Sequence, residues 1–484
     1  MFLRLCVMAS TLLAALVPSG VCSSPKLAVS SAVADVRTLP SDSRVRVRYL
    51  SLYHLHGEER EELLKALVFH VNQLSKEVEL VKLRLVNPHL VRLDIADPIW
   101  DAQVYDRLAD GDFYFSTKAI TTVVVTEKKH WPGGKWKDGQ EYGAQDYEEK
   151  VEKKVAQTIT APWLDPGEIG ELVRLTQSRA PILRADWFIV QTAAQVDRVV
   201  GYYDLLGAKD RDEFERIVGV DRKAAARLKK ETAAMLSRSG VAINNRQVLR
   251  LQALTGSYWM TLDSQKSQDT GNAIRLLNGD FKHEAEEIFG TLPNGLFAYF
   301  LSDAGGKRQE SVPDTIAHDS RSTSNDLRIH PGISCIRCHV EGIRPIADTG
   351  RALFAGDPIV LQSPIYEKYK RLTRLYLSDL QKHIRRDNED LADVLRRING
   401  LTPQENAKLF ARVWSRYVDE DLGLEASARE LGVTKNRLLA VLNEQLKRQG
   451  SLDHVAAMFL AGLPVRREHF EELFGTLSLS VAEK

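Results

Sequence analysis

Two cysteines three residues apart, followed at once by a histidine, constrain this chain more than any other feature. They are Cys335, Cys338 and His339, in the stretch Ile333-Ser334-Cys335-Ile336-Arg337-Cys338-His339-Val340. A single helical turn places side chains with this spacing on one side of the helix. Two thiols placed there can reach the two vinyl groups on one edge of a porphyrin, while the imidazole reaches the iron. The spacing therefore predicts a covalently attached c-type haem with His339 as its proximal ligand.

Three other kinds of site use closely spaced cysteines. A thioredoxin-like redox pair follows a strand in a βαβ unit, whereas Pro331 and Gly332 precede this pair. A structural zinc ion needs about four ligands, and the other two of the four cysteines, Cys6 and Cys22, lie at the N-terminus. A disulfide between residues so close in sequence closes almost no loop and stabilises little. The preferred interpretation is one covalently bound haem c per chain.

The N-terminus predicts export from the cytoplasm. Arg4 supplies a positive charge, and residues 5–17 form an uncharged apolar run with the length of a signal-peptide core, too short for a membrane span. We expect residues 1–34 to be a signal peptide and linker, with cleavage near Cys22 or after Ala34. A lipid anchor on Cys22 is disfavoured, because a bulky residue stands just before it. No transmembrane helix is expected in the mature chain, which we place in the periplasm or outside the cell.

Charge and length limit the remaining functions. The chain has 484 residues, with 66 Lys and Arg against 65 Asp and Glu, so it is long enough for two or three domains and has no basic excess for nucleic acid. Residues 424–442 mimic a helix-turn-helix, but two helices that meet at Gly432 give the same pattern. Neutral charge and a signal peptide together argue against DNA binding.

Residues 35–160 are expected to form an N-terminal α+β domain, because their apolar pattern alternates between period 2 and helical spacing. The order of the predicted elements is that of a ferredoxin-like fold, with two helices on an antiparallel sheet. The predicted elements are strand Val45–Tyr53, helix Glu58–Ser75, strands Val78–Val86 and Leu90–Ile95, helix Ile99–Leu108 and strand Ala119–Thr126.

The rest of the chain is expected to be mostly helical. In the middle region, residues 161–285, a helix begins at Asp165-Pro166, residues 182–190 are either a strand or a buried helix, and a helix capped by Asp221 runs to Met235. Residues 286–484 are expected to form the haem-binding domain, with a hairpin within 288–309 and a helical C-terminal part. The fold class is therefore α+β, with a ferredoxin-like N-terminal region, a mostly helical middle and a helical, cytochrome c-like haem domain.

Two segments of the chain resemble a family of exported bacterial monohaem c-type cytochromes. The segments are Asn294-Gly295-Leu296-Phe297-Ala298-Tyr299 and Gly332-Ile333-Ser334-Cys335-Ile336-Arg337-Cys338-His339, which match that family's Asn-Gly-Leu-x-Ala-Tyr and Gly-[Leu/Ile]-Ser-Cys-x-x-Cys-His patterns. The strand around Tyr49 and the segment from Arg184 to Phe188 are also similar. The resemblance implies a c-type cytochrome that carries electrons, and it supplies no redox partner.

The function depends on what binds the iron opposite His339. A methionine or second histidine would give a closed iron suited to electron transfer, whereas an empty position would admit peroxide or another small ligand. The candidates for this position are Met260, Met458, His283, His318, His330 and His383, or none. We expect an electron carrier with an unknown protein partner, and the alternative is a peroxidase-like or oxidase-like haem enzyme. A haem-stabilised surface protein without redox function is a third hypothesis.

Overall fold

The computed structural model describes residues 25–135, 140–160, 164–228, 230–236, 246–263, 283–312, 317–319, 327–349, 351, 379–448 and 452–482. Helices and sheets both contribute, so the prediction of an α+β protein is confirmed. The strands are β1 Val47–Ser51, β2 Arg84–Asn87, β3 Leu90–Asp94, β4 Ser116–Trp131, β5 Gly134–Lys135, β6 Glu141–Tyr142, β7 Gln145–Thr160, β8 Ile182–Arg184, β9 Glu231–Leu236, β10 Arg246–Gln252, β11 Ser257–Asp263, β12 Ala285–Thr291 and β13 Phe297–Asp303.

Helices precede, connect and follow these strands. In the first part of the chain they are α1 Pro25–Arg37, α2 Ser41–Arg44, α3 Gly57–Gln73, α4 Ala102–Asp106, α5 Pro166–Thr176, α6 Ala185–Ala193, α7 Tyr202–Leu206, α8 Arg211–Ile217 and α9 Arg222–Arg227. In the last part they are α10 Ile333–His339, α11 Leu380–Asn399, α12 Pro403–Val418, α13 Leu424–Glu430, α14 Lys435–Arg448, α15 Asp453–Leu460 and α16 Arg467–Ala482.

The N-terminal sheet differs from the ferredoxin-like arrangement. Its strand order is β2-β3-β1-β8, with β3 antiparallel and β8 parallel to the buried central strand β1. The expected last strand, residues 119–126, lies instead in β4, which pairs along its whole length with β7 in a separate two-stranded ribbon. A strand from the middle region thus completes the sheet. The segment 182–190, which was ambiguous, is a strand followed by a buried helix, β8 and α6.

Residues 25–34 are not a linker. They belong to α1, in which Ala28, Val29, Ala32, Val33 and Val36 are almost completely buried. This spacing places the five side chains on one helical stripe, and the stripe packs into the N-terminal core. Cleavage after Ala34 would remove most of a helix that the fold uses.

In its described part, the middle region is not mostly helical. The expected helix after Asp221 ends at Arg227, and Glu231–Leu236 forms β9, the edge of an antiparallel sheet with strand order β13-β12-β11-β10-β9. The sheet runs from residue 231 to residue 303, so it crosses the expected boundary at 285. Within it β12 and β13 form a hairpin joined through Asn294 and Gly295, and the turn predicted at residues 303–307 follows β13, where Ser302 and Arg308 form an antiparallel bridge.

The C-terminal region is helical in its described part, as predicted. The predicted capping box is present at the start of α12, where the Thr402 hydroxyl accepts a hydrogen bond from the Glu405 N–H at 3.2 Å. A buried ion cluster joins this region to the N-terminal sheet. Glu430 on α13 accepts hydrogen bonds from Arg184 and from Arg467, both at about 3 Å. The helices are therefore fixed to the sheet by charge as well as by apolar packing.

Candidate functional site

The short helix α10 carries the three residues singled out from the sequence, and its start depends on Gly332. This residue has φ +81° and ψ −89°, and a Cβ atom added to it would lie 2.3 Å from the carbonyl oxygen of Ala193. The first turn is closed by Ser334, whose hydroxyl accepts a hydrogen bond from the His330 N–H at 3.0 Å. Only glycine therefore fits at position 332, directly before the first residue of α10.

Cys335, Cys338 and His339 lie on the same side of α10 and line one cavity of about 350 Å³. The expectation that one helical turn brings the three side chains together is met. The cavity volume is in the range of sites that bind small molecules and cofactors. Neither thiol is in a disulfide. Burial raises the pKa of the Cys335 thiol well above its usual value, and the nearby Glu287 carboxylate raises it further.

One face of the five-stranded sheet forms the floor of this cavity. Because side chains alternate along a strand, every second residue of β10 to β13 points to the same side. The pairing of Trp259 with Phe289 and of Phe289 with Tyr299 sets three aromatic rings side by side across β11, β12 and β13. The floor residues that line the cavity are Leu236, Arg246, Val248, Trp259, Thr261, Glu287, Phe289, Tyr299 and Leu301.

The His339 imidazole packs on the aromatic part of this floor. Its ring centroid lies 4.8 Å from that of Phe289 and 6.0 Å from that of Tyr299, with interplanar angles of 33° and 27°. Tyr299 ends the Asn-Gly-Leu-x-Ala-Tyr segment, so the two segments that carry the family resemblance are in contact at this site. Aromatic packing fixes the plane of the imidazole while its edge borders the cavity.

Residues 343–347 form a strap along the other side of the cavity. Asn388 on α11 holds the strap at Ile343, accepting a hydrogen bond from its N–H at 2.7 Å and donating one to its carbonyl at 2.9 Å. Gln381 donates a hydrogen bond to the carbonyl oxygen of Ile346 at 2.6 Å. Arg344 is exposed on the strap and lines the cavity.

None of the six candidate sixth ligands lines this cavity in the described part of the chain. Met260 lies on the opposite face of β11, where the Tyr258 hydroxyl is 3.8 Å from its sulfur. His283 is 3.1 Å from Glu286, which also faces away from the cavity. Met458 is partly buried against the hydrophobic core. Met260 and His283 are ruled out by their direction, and Met458 does not line the cavity.

The remaining candidates are His330, His318 and His383. His330 immediately precedes α10, and His318 is next to Asp319, which lines the cavity and pairs with Arg337 at 3.4 Å. His383 is one turn before Asp387 on α11, and burial and the charge of Arg250 lower its pKa. Asp387 bonds Arg250 and Trp259 on the cavity side of the sheet. His383 is therefore on the correct side of the sheet, without lining the cavity.

The cavity has a polar end that sequence reasoning missed. Arg246 binds both oxygens of Asp263, at 2.6 and 2.7 Å, and one oxygen of Glu287, at 2.9 Å. The three residues are far apart in sequence and meet only because β10, β11 and β12 are paired. In the sequence, the cluster was indicated by the charged residues within these otherwise β-prone runs.

Comparison of the chain with protein-family models, curated proteins and solved structures gave no match. In the described ranges, no three or more His, Cys, Asp or Glu side chains are grouped so that they could hold a metal ion. Of the described helices, none has the length and apolar character needed to cross a membrane. The site therefore has to be interpreted from its own geometry.

Proposed function

We propose that this protein is an exported c-type cytochrome with a single haem, bound covalently through Cys335 and Cys338 and ligated by His339. The observation that carries the proposal is that these three side chains open onto one cavity whose floor is aromatic and apolar. A porphyrin needs a flat apolar surface beside its attachment points, and Trp259, Phe289 and Tyr299 lie there. The bound haem would supply one-electron redox chemistry.

The chain's own residues have separate tasks in this proposal. Phe289 and Tyr299 hold the plane of the His339 ring, and Ile343 on the strap limits access of water to the cavity. Arg344 is available for a haem propionate, because a guanidinium group pairs well with carboxylates and the structure gives Arg344 no ion pair among the described residues. Electrons would enter or leave at the edge of the cavity that the exposed Arg344 lines, and a redox partner protein would dock there.

The test is expression of the whole chain in a bacterium that attaches haem to exported proteins. The purified protein should show the α-band of a reduced c-type haem, and the pigment should stay with the chain in acidified organic solvent. Replacing either motif cysteine, in Cys335→Ser or Cys338→Ser, should weaken this retention, whereas Cys22→Ser should leave it unchanged. An unaltered protein that carries no pigment, or releases all of it, would refute the proposal.

Export is part of the same proposal, and the burial of α1 limits where the signal peptide can be cleaved. Because Ala28, Val29, Ala32 and Val33 are buried in the core, we expect signal cleavage on the N-terminal side of residue 25. Amino-terminal sequencing of protein from the periplasm or medium measures the site. A mature chain that begins after Ala34, or a chain found only in the cytoplasm, would contradict this prediction.

A second candidate function is supported by the placement of the sixth-ligand candidates. Among the described residues, His339 is the only histidine that lines the cavity, and no methionine lines it. The iron would therefore have an open position for a small ligand, as in a peroxidase-like or oxidase-like enzyme. Carbon monoxide distinguishes the two functions. A spectral shift of the reduced protein supports the open position, and an unchanged spectrum supports a closed iron that only carries electrons.

A further inference from the structure

The polar end of the cavity carries unequal charges. Arg246 is the one positive group in the cluster, and Asp263 and Glu287 are two potential negative groups within hydrogen-bond distance of it. If both carboxyls are ionised, the cluster has a net charge of −1 on the wall of a largely apolar cavity. Electrostatic interactions are strong in such surroundings, because little water is present to screen them.

The carboxyl groups of Asp263 and Glu287 do not receive the same number of hydrogen bonds. Asp263 receives two hydrogen bonds from Arg246 and a third from the Thr261 hydroxyl at 3.0 Å. Glu287 receives only the Arg246 bond, on Oε2, and its Oε1 is buried without a hydrogen-bond partner. A buried carboxylate oxygen that lacks a donor is costly, and a proton on that oxygen removes most of the cost. Glu287 is therefore the member of the cluster suited to bind a proton.

The neighbouring groups point to the same residue. Arg246 and Asp263 face Glu287 from β10 and β11, and its neighbour across β13 is the apolar Leu301. From α10 the facing group is Cys335, which has no titratable proton once it forms a thioether. Burial raises the pKa of Glu287, the charge of Asp263 raises it further, and Arg246 opposes both.

Two more charged residues line the cavity from outside the sheet. Asp319 is paired with Arg337, and Arg344 is exposed on the strap. Neither shares a hydrogen bond with Glu287. The free carboxylate oxygen on the cavity wall is thus that of Glu287.

Resting on the proposed haem, we propose that Glu287 takes up a proton when the haem is reduced and releases it when the haem is oxidised. A bound haem would accept one electron from a one-electron donor, which would make the cavity more negative by one charge. One proton from a hydronium ion then forms an O–H bond with Oε1 of Glu287, leaving a water molecule. The charge enclosed in the cavity is unchanged, which avoids an uncompensated charge in an apolar site.

The test is the midpoint potential of the haem-loaded protein as a function of pH, measured with soluble one-electron mediators. Coupling of one proton to one electron lowers the potential by up to about 59 mV for each tenfold fall in proton concentration. We expect this dependence in the unaltered protein and its loss in Glu287→Gln, which keeps the size and the Oε1 acceptor. Glu287→Asp should retain a dependence, and the exposed control Glu284→Gln should behave as the unaltered protein does.

The outcomes separate the two proposals. Absence of covalent haem from the unaltered protein refutes the cytochrome, and the coupling falls with it. A haem whose potential is independent of pH, or a dependence that persists in Glu287→Gln, overturns the role of Glu287 while the haem stands. If Glu287→Gln does not load haem, redox-difference infrared spectra of the unaltered protein decide. A protonated carboxylic acid gained on reduction supports the proposal, and its absence overturns it.

Discussion

Replacement of Gly332 by alanine tests whether the entry to α10 is built as the structure indicates. At φ +81° and ψ −89°, a residue with a side chain is strained by about 1–3 kcal/mol. The new methyl group would also lie 2.3 Å from the Ala193 carbonyl oxygen and 2.8 Å from the Tyr202 ring. Because the first of these atoms is backbone and cannot turn aside, overpacking adds about 1–3 kcal/mol. We expect a total loss of about 2–6 kcal/mol in the free energy of unfolding.

Urea denaturation of the purified Gly332→Ala protein, followed by circular dichroism, measures this loss. The matched control is Gly170→Ala on α5, an exposed helical position where the new methyl group meets no atom within 4 Å. Alanine is the better helix former, so the control should unfold at the same or a higher urea concentration. A loss below about 1 kcal/mol for Gly332→Ala would refute the tight entry of the helix and, with it, the fixed placement of the motif.

Two further predictions concern the supports of the site. Glu430→Gln should lower the free energy of unfolding by about 3–5 kcal/mol, because the buried Arg467 loses its charged partner and the buried Arg184 keeps only Asp186, whereas the exposed control Glu425→Gln should change it little. Arg184 and Arg467 overcome the effect of burial and lower the pKa of Glu430 to about 2. The contribution of the Glu430 carboxylate to stability should therefore be complete above about pH 4.5 and be lost as the pH falls toward 2. Urea titrations at several pH values test both statements, and stability independent of pH in this window would contradict them. Asn388→Ala should free the strap, so hydrogen exchange at the Ile343 amide should accelerate while exchange in β12 stays slow; equal protection in both proteins would show that Asn388 does not hold the strap.

The parts of the fold that could be predicted are those whose signals are local. The capping box at Thr402 and the caps at Asp165 and Asp221 each depend on a few neighbouring residues, and the structure has all three. The helical repeat alone likewise places Cys335, Cys338 and His339 on the same side of α10. Local geometry is sufficient where no distant partner is needed.

The errors occurred where distant partners decide the structure. Glu231–Leu236 reads Glu-Thr-Ala-Ala-Met-Leu, a sequence with helical preference, yet it forms a strand because β10 offers an edge to pair with. The N-terminal sheet takes β8 rather than the expected residues 119–126 for a similar reason, since pairing register is a tertiary choice. For α1 the signal was present in the spacing of its apolar residues, and the Ser and Ala content concealed it.

The candidate site divides in the same way. Its motif could be found from three positions within one helical turn, but its floor needs residues from five strands, and the cluster of Arg246, Asp263 and Glu287 needs three of those strands in register. The sixth ligand could not be predicted from the sequence either, because whether Met260 faces the cavity depends on which side of β11 the cavity lies. Such facts follow from pairing and not from composition.

The most direct test of the central claim is the haem content of the denatured, exported protein after extraction with acidified organic solvent. We expect one haem retained per chain, with the absorption of a c-type haem after reduction, and loss of that retention when both Cys335 and Cys338 are replaced. Pigment that passes entirely into the solvent, or a colourless chain from cells that mature other c-type cytochromes, would contradict it.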